Sequence, residues 1–484
     1  MVRTALVATV LAALLLPRPA APQERGTAGA VDPATAERIA RIEASLITPL
    51  QLEGRPVEEY TLPERMAHWG VPGVSAAVIE DGRVAWAKAW GVADAERGDL
   101  VTTSTLFQAA SISKPVSVMG MLRLVAAGEL DLDAPVETYL SSWRLPEHDF
   151  EEPVTLRRLA SHTAGTNVHG FPGYARSAER PTTAGVLRGE GNTAAVVVER
   201  EPGSEYRYSG GGTTILQLVV EDVTGRPFEA YMAEAVLDPA GMTHSTFAQP
   251  LPEDRRGDAA TGHRTDGSKV GGDWHVYPEK AAAGLWTTPT DLARLAIEVQ
   301  RSLHGESNAV LSQAMTRAML EPVRNGYGLG FSTQPDIGRF GHGGANEGFR
   351  ATLAAFRDGR GLAIMTNSDE GGAVTQELMM AIAREYGWEE IAPRTLHVAE
   401  LSAREREAIA GTWVIRGTPV RVTLTPTEDG LFHVESGITR PTTYVPVTAE
   451  RLVPLTPAPG IDVVWEDGAV AALRAQGREL VRER

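Results

Sequence analysis

The spacing of apolar residues divides the chain into stretches of different period. Val74-Ser75-Ala76-Ala77-Val78-Ile79 reads as a strand, Glu80-Asp81-Gly82 as a turn and Arg83 to Trp90 as the return, so Gly73 to Val92 forms a hairpin. Ala34 to Ser45 follows a helical pattern. Ser111 to Ala127 is a stronger one, with Pro115 tolerated in its first turn and Gly128 ending it. Val118, Met119, Leu122, Val125 and Ala126 recur at helical spacing and define its buried face. Residues 130–300 are mostly helical patterns broken by Gly/Pro loops, clearest over Phe228 to Leu237 and Pro289 to Ser302, and Thr163 to Asn192 is loop-rich enough to rim a site. From Gly338 the period changes. Phe349 to Phe356 and Leu362 to Thr366 are strand-length apolar runs joined by Asp358-Gly359-Arg360-Gly361, and Gln376 to Tyr386 reads as a closing helix. Strands at both ends of a helical middle predict an α+β unit over residues 33–390, its ends meeting in one antiparallel sheet flanked by helices. Glu389 to Ala403 reads as a linker. Residues 404–484 carry short β-rich runs, among them Thr412-Trp413-Val414-Ile415, Val420 to Leu424, Leu431 to Val434 and Val463-Val464-Trp465, which predict a small all-β domain.

Composition adds limits rather than detail. With 43% hydrophobic and 22% charged residues over 484 positions, the chain is an ordinary globular protein large enough for a sizeable core. A net charge of −16 argues against nucleic-acid and anionic-membrane partners. Residues 1–21 read as a signal peptide: Arg3 is followed by the apolar run Ala5 to Leu16, broken only by Thr9, and by small residues at Ala20 and Ala21. That run is too short to span a bilayer, so the expected location is periplasmic or secreted, with no stable membrane span. The chain contains no cysteine, which removes disulfide and thiolate chemistry.

Four lysines occur in the whole chain, and one of them is Lys114, three residues after Ser111 in Ser111-Ile112-Ser113-Lys114. A hydroxyl is a poor nucleophile until a base removes its proton. One helical turn separates the two side chains, so they share a face. Lysine can lose its proton when desolvated, whereas arginine cannot. Near a helix N-terminus, Ser111 also gains a free backbone N–H, half of an oxyanion hole. Alone, the tetrad also fits a helix cap followed by a surface lysine.

Its surroundings extend the pattern. Val71-Pro72-Gly73-Val74-Ser75-Ala76-Ala77-Val78, Phe107-Gln108-Ala109-Ala110-Ser111-Ile112-Ser113-Lys114, Gly128 to Asp133, Val154 to Leu159 with Ser161-His162-Thr163-Ala164-Gly165, and Ala283-Gly284-Leu285-Trp286-Thr287-Thr288 follow one another in order. Over about residues 35–390 the chain resembles the serine β-lactamase-like family: class C β-lactamases, low-molecular-weight D,D-peptidases, D-aminopeptidases and family VIII-type esterases. The resemblance implies a β-lactamase/transpeptidase-like fold with a helical subdomain, and cofactor-free chemistry through an acyl-enzyme. It places Tyr208, in Tyr206-Arg207-Tyr208-Ser209-Gly210, on the family's proton-relaying tyrosine, as tyrosinate or neutral acid. It places Gly341-His342-Gly343-Gly344-Ala345 on the third motif, with the backbone amides of Ser111 and Ala345 as oxyanion donors.

Two departures bear on the substrate. Gly210 stands where the family has asparagine, which removes a substrate-holding amide and should loosen the local loop. His342 and Gly343 stand where penicillin-recognising members have Lys-Thr, which removes a permanent charge and a hydroxyl; Gly344 leaves room for the substrate's backbone or acyl group. Arg350, nearby in sequence, could restore a grip on a carboxylate unless its place on a strand turns its side chain away. His342, Gly343, Gly344 and Gly210 are therefore the expected substrate-binding positions. His162 and His169 carry no metal in this reading, because no acidic ligand joins them, and Trp286 is wall or core. Three functions stay open: a hydrolase of esters or of amides and short peptides, a β-lactamase or D,D-carboxypeptidase, and a non-turnover penicillin-binding-like sensor or scaffold. A small molecule or short peptide is the expected partner in each. The β-rich tail is expected to cover the cleft or to join subunits.

Overall fold

The computed structural model describes residues 32–437, 440–456 and 458–483. The expected signal peptide, 1–21, lies outside the described residues. Seven strands build the central antiparallel sheet: β1 (Gly73–Glu80), β2 (Arg83–Asp94), β3 (Asp99–Leu100), β4 (Ser332–Gln334), β5 (Arg339–Asn346), β6 (Phe349–Phe356) and β7 (Gly361–Thr366), in the order β3-β2-β1-β7-β6-β5-β4. The two ends of the α+β unit meet where β1 pairs with β7, Val78 opposite Leu362 and Ala77 opposite Ala363. The β1–β2 turn is tight because Asp81 and Gly82 both take positive φ, 51° and 67°, the backbone that matches the twist of a two-residue hairpin.

Side-chain alternation gives each sheet face its own core. Val74, Ala76, Val78, Leu362 and Ile364 join one cluster with the helices α1 (Pro33–Glu43), α2 (Leu62–Trp69) and α6 (Gly371–Tyr386). Ala77, Ile79, Ala363 and Met365 join the larger cluster, which holds α3 (Ser113–Ala126), α4 (Gly210–Thr224), α5 (Pro289–His304) and the helical subdomain. Helix α3 is buried all round over its first three turns, including Val116 and Met121, while Val125 is half-buried and Ala126 exposed. The predicted single face is thus too narrow: this helix runs through the core rather than along its surface. Phe228–Met232 is α-helical and Ala233–Leu237 continues it as a π-turn. Helix α6 begins five residues before the predicted Gln376. A Cβ on Gly371 would lie 1.7 Å from Thr366 Oγ1, so Gly371 serves close packing rather than ending the helix.

Beyond Tyr386 the chain is pinned: Arg394–Leu396 pairs in parallel with Leu50–Leu52. A closed eight-stranded barrel follows, β8 (Gly411–Ile415), β9 (Arg421–Pro426), β10 (Phe432–Ser436), β11 (Thr442–Thr448), β12 (Arg451–Pro454), β13 (Ile461–Glu466), β14 (Ala469–Ala475) and β15 (Arg478–Arg482). Trp413, Phe432, Tyr444, Leu452, Val463 and Leu473 fill its interior. Four of these strands match the sequence reading. The others are disguised: β11 contains Pro446 at a register shift, and β14 is rich in alanine, a helix former that ring closure holds extended.

Candidate active site

Ala110–Ile112 forms one 3-10 turn ahead of α3, and Ala110 takes φ +48°. A non-glycine residue in that region costs on the order of 1–3 kcal/mol and needs support from its surroundings. The support comes from the segment around Ala281 to Leu285. Ala109 N–H donates to the Leu285 carbonyl at 2.9 Å, Leu285 N–H donates to Ser113 Oγ at 3.0 Å, and Ser117 Oγ donates to the Ala281 carbonyl at 3.3 Å. Ser111 therefore lies in this turn, two residues before the α-helix that was expected to begin at it.

Lys114 Nζ lies 3.0 Å from Ser111 Oγ and donates to the Ala282 carbonyl at 2.8 Å. The side chain is buried, and burial alone pulls its pKa down to about 7. Burial keeps water away and no carboxylate among the described residues compensates the charge, so the ammonium loses its advantage. A neutral amine keeps one lone pair: while N–H donates to Ala282, that lone pair accepts the Ser111 hydroxyl proton.

Tyr208 borders the same space. Lys114 Nζ lies 4.9 Å from its ring centroid, and the nearby Ser111 hydroxyl pulls the phenol's pKa down against burial. Burial pushes the phenol's pKa well above its ordinary value, which favours the neutral acid of the two expected forms. Ser209, next in sequence, caps α4: its Oγ accepts Gly212 N–H at 2.9 Å and donates to the Asn167 carbonyl at 2.5 Å. That cap fixes the chain direction just after Tyr208.

Two histidines and a second tyrosine line the back wall. The His162 ring is 4.3 Å from that of Tyr208 and 4.9 Å from that of Tyr327. His162 Nδ1 accepts Ser209 N–H at 3.2 Å, so Nε2 carries the proton. His342 Nδ1 donates to the Gly343 carbonyl at 2.5 Å, and its Nε2 lies 3.0 Å from the Tyr327 hydroxyl, whose one proton is shared between that nitrogen and the Gly330 carbonyl at 2.8 Å. Burial, then the nearby Lys114, pull His342 down to about 4 and His162 well below its ordinary value. Both imidazoles are neutral at pH 7. His342 thus touches Tyr327 rather than supplying a cation, and its ring centroid is 6.0 Å from that of Tyr208.

Strand β5 closes the other side. Over Arg339–Gly341 it pairs with β4, but from His342 to Asn346 only β6 is paired, and this free edge packs by the Ala110–Ile112 turn. A Cβ on Gly344 would lie 2.1 Å from the Ala109 carbonyl oxygen. Gly344 therefore makes room for the protein's own backbone, not for the substrate as expected. Gly343 and Ala345 are exposed along the same stretch. Asn346 ties the strand down, donating to Gln108 Oε1 at 2.8 Å and to the Ala283 carbonyl at 3.1 Å.

One expectation is corrected, and the open question about Arg350 is answered. Gly210 does not loosen its loop: it is buried, its N–H donates to the His169 carbonyl at 3.1 Å, and a Cβ there would lie 3.0 Å from the Phe171 ring. Phe171 occupies the room an asparagine would need, so Gly210 is walled in rather than offered to a ligand. Arg350 does not restore a free cation, because it pairs with Asp369 at 3.0 Å and donates to the Asn346 and Phe349 carbonyls. Trp286 is fully buried. Tyr327, Asn346, Gln108 and the Ala281–Leu285 backbone had no motif to announce them; the one signal was a tyrosine set among glycines at Gly326, Gly328 and Gly330.

Comparison with known proteins bears on the family and the fold. Over 193 residues the chain is 34% identical to esterase EstB of Burkholderia gladioli, covering 37% of this chain and 48% of EstB. Over 296 residues it is 23% identical to protein flp of Staphylococcus aureus (strain COL), covering 58% of this chain and 57% of flp. The chain thus spans about half the length of these relatives. The fold is that of the octameric penicillin-binding protein homologue from Pyrococcus abyssi, with a TM-score of 0.60 at 22% identity over 87% of this chain and 98% of that one. A family model described as Beta-lactamase matches residues 61–385, more than half of the chain and every one of the residues placed around Ser111, and the protein belongs to that family.

Proposed function

We propose that the protein is an exported serine hydrolase that cleaves esters, or amides and short peptides, through an acyl-enzyme. Ser111 Oγ attacks the carbonyl carbon while Lys114 Nζ takes its proton. The negative oxygen of the tetrahedral adduct is held by the backbone amides of Ser111 and Ala345. Tyr208 gives its proton to the leaving group and recovers one from Lys114, so the adduct collapses to an acyl-Ser111 ester and a neutral leaving group. Water then repeats the sequence, with Lys114 and Tyr208 drawing off its proton, and frees the acid. The observation that carries this reading is a buried lysine with a pKa of about 7 set 3.0 Å from the serine hydroxyl. A general base works best when its pKa is near the working pH.

Esters and neutral amides are favoured over β-lactams and D-Ala-D-Ala peptides. The latter carry a carboxylate beside the scissile bond, and His342 is neutral while Arg350 is already paired with Asp369. A fluorophosphonate probe should label the wild type and not Ser111→Ala, and a panel of p-nitrophenyl esters, D-amino-acid amides and nitrocefin should rank esters first. Equal labelling of both proteins would remove Ser111 as nucleophile. Nitrocefin hydrolysis at a kcat/KM near ~10⁴ M⁻¹s⁻¹ would reverse the substrate order.

A further inference from the structure

One residue holds Tyr208 by three contacts. The His162 carbonyl accepts Arg207 N–H at 2.7 Å, His162 Nδ1 accepts Ser209 N–H at 3.2 Å, and the imidazole packs on the Tyr208 ring with centroids 4.3 Å apart. Arg207 and Ser209 are the two chain neighbours of Tyr208, so His162 clasps the backbone on both sides of it. Tyr208 belongs to no helix or strand, and the Ser209 cap fixes only the chain after it. The clasp therefore decides how the backbone enters and leaves the position that carries the phenol.

His162 reaches both neighbours through an unusual backbone. Its φ is +57°, a region in which a non-glycine residue is uncommon and needs support from its surroundings. The support comes from both directions. His162 N–H donates to the Leu159 carbonyl at 3.3 Å, in the short helix Leu156–Ala160, and Thr163 N–H donates to the Arg158 carbonyl at 2.8 Å. The Thr163 carbonyl in turn accepts Gly203 N–H at 2.6 Å. The His162 ring is buried, and its Nε2 has no hydrogen-bond partner among the described residues. Its orientation thus rests on the Nδ1 bond and on the rings of Tyr208 and, at 4.9 Å, Tyr327. Nδ1 accepts a hydrogen bond only in the neutral imidazole, the form that burial favours.

We propose that His162 is the positioning residue of Tyr208: it sets where the phenol stands beside Ser111 and Lys114, and acts on the reaction only through it. The inference rests on the reading of Tyr208 as the group that protonates the leaving oxygen. A misplacement of about 1 Å costs about 10²-fold in rate. That cost falls on the step that needs the proton, expulsion of the leaving group. p-Nitrophenolate leaves with little help, whereas a more basic phenolate or alkoxide needs its proton delivered.

The test measures kcat/KM, which covers the steps up to the acyl-enzyme, for p-nitrophenyl, phenyl and trifluoroethyl esters of one acid. The full-length wild type is compared with Tyr208→Phe, His162→Gly, His162→Asn and the double variant. Glycine and asparagine both tolerate a φ of +57°, but only asparagine brings an oxygen that can accept Ser209 N–H. Tyr208→Phe should lose progressively more as the leaving group becomes more basic, by about 10²-fold or more at the far end. His162→Gly should follow the same trend, losing least on the p-nitrophenyl ester and about 10²-fold on the trifluoroethyl ester. His162→Asn should recover most of that loss. Adding His162→Gly to Tyr208→Phe should leave the trend unchanged, because the two groups act as a unit. A loss in His162→Gly that is equal for all three esters, a trend that steepens in the double variant, or a loss that His162→Asn does not reduce overturns the positioning role. Each trend is a ratio between esters within one variant, so partial unfolding cannot imitate it. If Tyr208→Phe itself shows no trend, the acid role of Tyr208 fails and takes this inference with it; the two failures are thus separable.

Discussion

In the proposed mechanism Lys114 acts as base because it is dry, and its titration should be visible in the reaction. Its pKa of about 7 lies well below that of an exposed lysine. The neutral amine is the working form, so kcat/KM on an ester should rise about tenfold per pH unit below 7 and level off above it. His342, pulled down to about 4, and Tyr208, pushed far up, add no step between pH 5 and 9. Lys114→Arg should lose at least about 10²-fold, since guanidinium does not give up its proton. A flat pH–rate profile from 6 to 9 would remove Lys114 as the titrating base. That Ser111, Lys114 and Tyr208 come together was legible, because the serine and lysine sit one helical turn apart and the tyrosine falls in a recognisable motif. Tyr327 was not, because its work depends on meeting His342 across the fold at 3.0 Å, and no local pattern encodes that meeting.

At the scale of elements, the site depends on how closely β5 approaches the turn that carries Ser111. Gly344 allows that approach, and its missing Cβ is the space filled by the Ala109 carbonyl. Gly344→Ala must push the strand and turn apart. Overpacking of this kind costs about 1–3 kcal/mol, and a shift of about 1 Å beside the nucleophile costs about 10²-fold in rate. Thermal unfolding and ester kcat/KM should therefore both fall. Gly343→Ala, one residue away and facing open space, should leave the melting temperature nearly unchanged. Equal stability of the two variants would mean that β5 can yield without strain. Strands β1, β2, β6 and β7 were legible from runs of apolar residues between turn signals. The start of α6 and half of the barrel strands were not: Gly371 looks like a breaker until Thr366 is seen against it, and Ala469–Ala475 looks helical until the ring closes. In both places packing between distant segments overrides local preference.

The whole molecule separates the barrel from the chemistry. Leu396, Leu431 and Val445 are buried in a small cluster with Leu50, Leu52 and Val453. Around it, Arg440 donates to the carbonyls of His68 and Trp69 at 2.8 and 3.3 Å, and Arg55 donates to the Asp429 carbonyl at 2.8 Å. The barrel thus docks against α2 and the 46–60 segment. Among the described residues, these contacts fall on α2, residues 46–60 and residues 396–398, and none of them is to a residue named above around Ser111. Val445 is fully buried on the outer wall of the barrel, while its neighbour Tyr444 points into the barrel core. Val445→Asp places an unpaired carboxylate in the docking seam at a cost of several kcal/mol and leaves the barrel interior intact. Limited proteolysis should then cut more readily within 393–403, and the first thermal transition should drop, while fluorophosphonate labelling of Ser111 below that transition persists. Labelling that fell in step with undocking would mean that the barrel holds the catalytic unit in its working shape. The two cores would then act as one cooperative body, despite the distance between the barrel and the nucleophile.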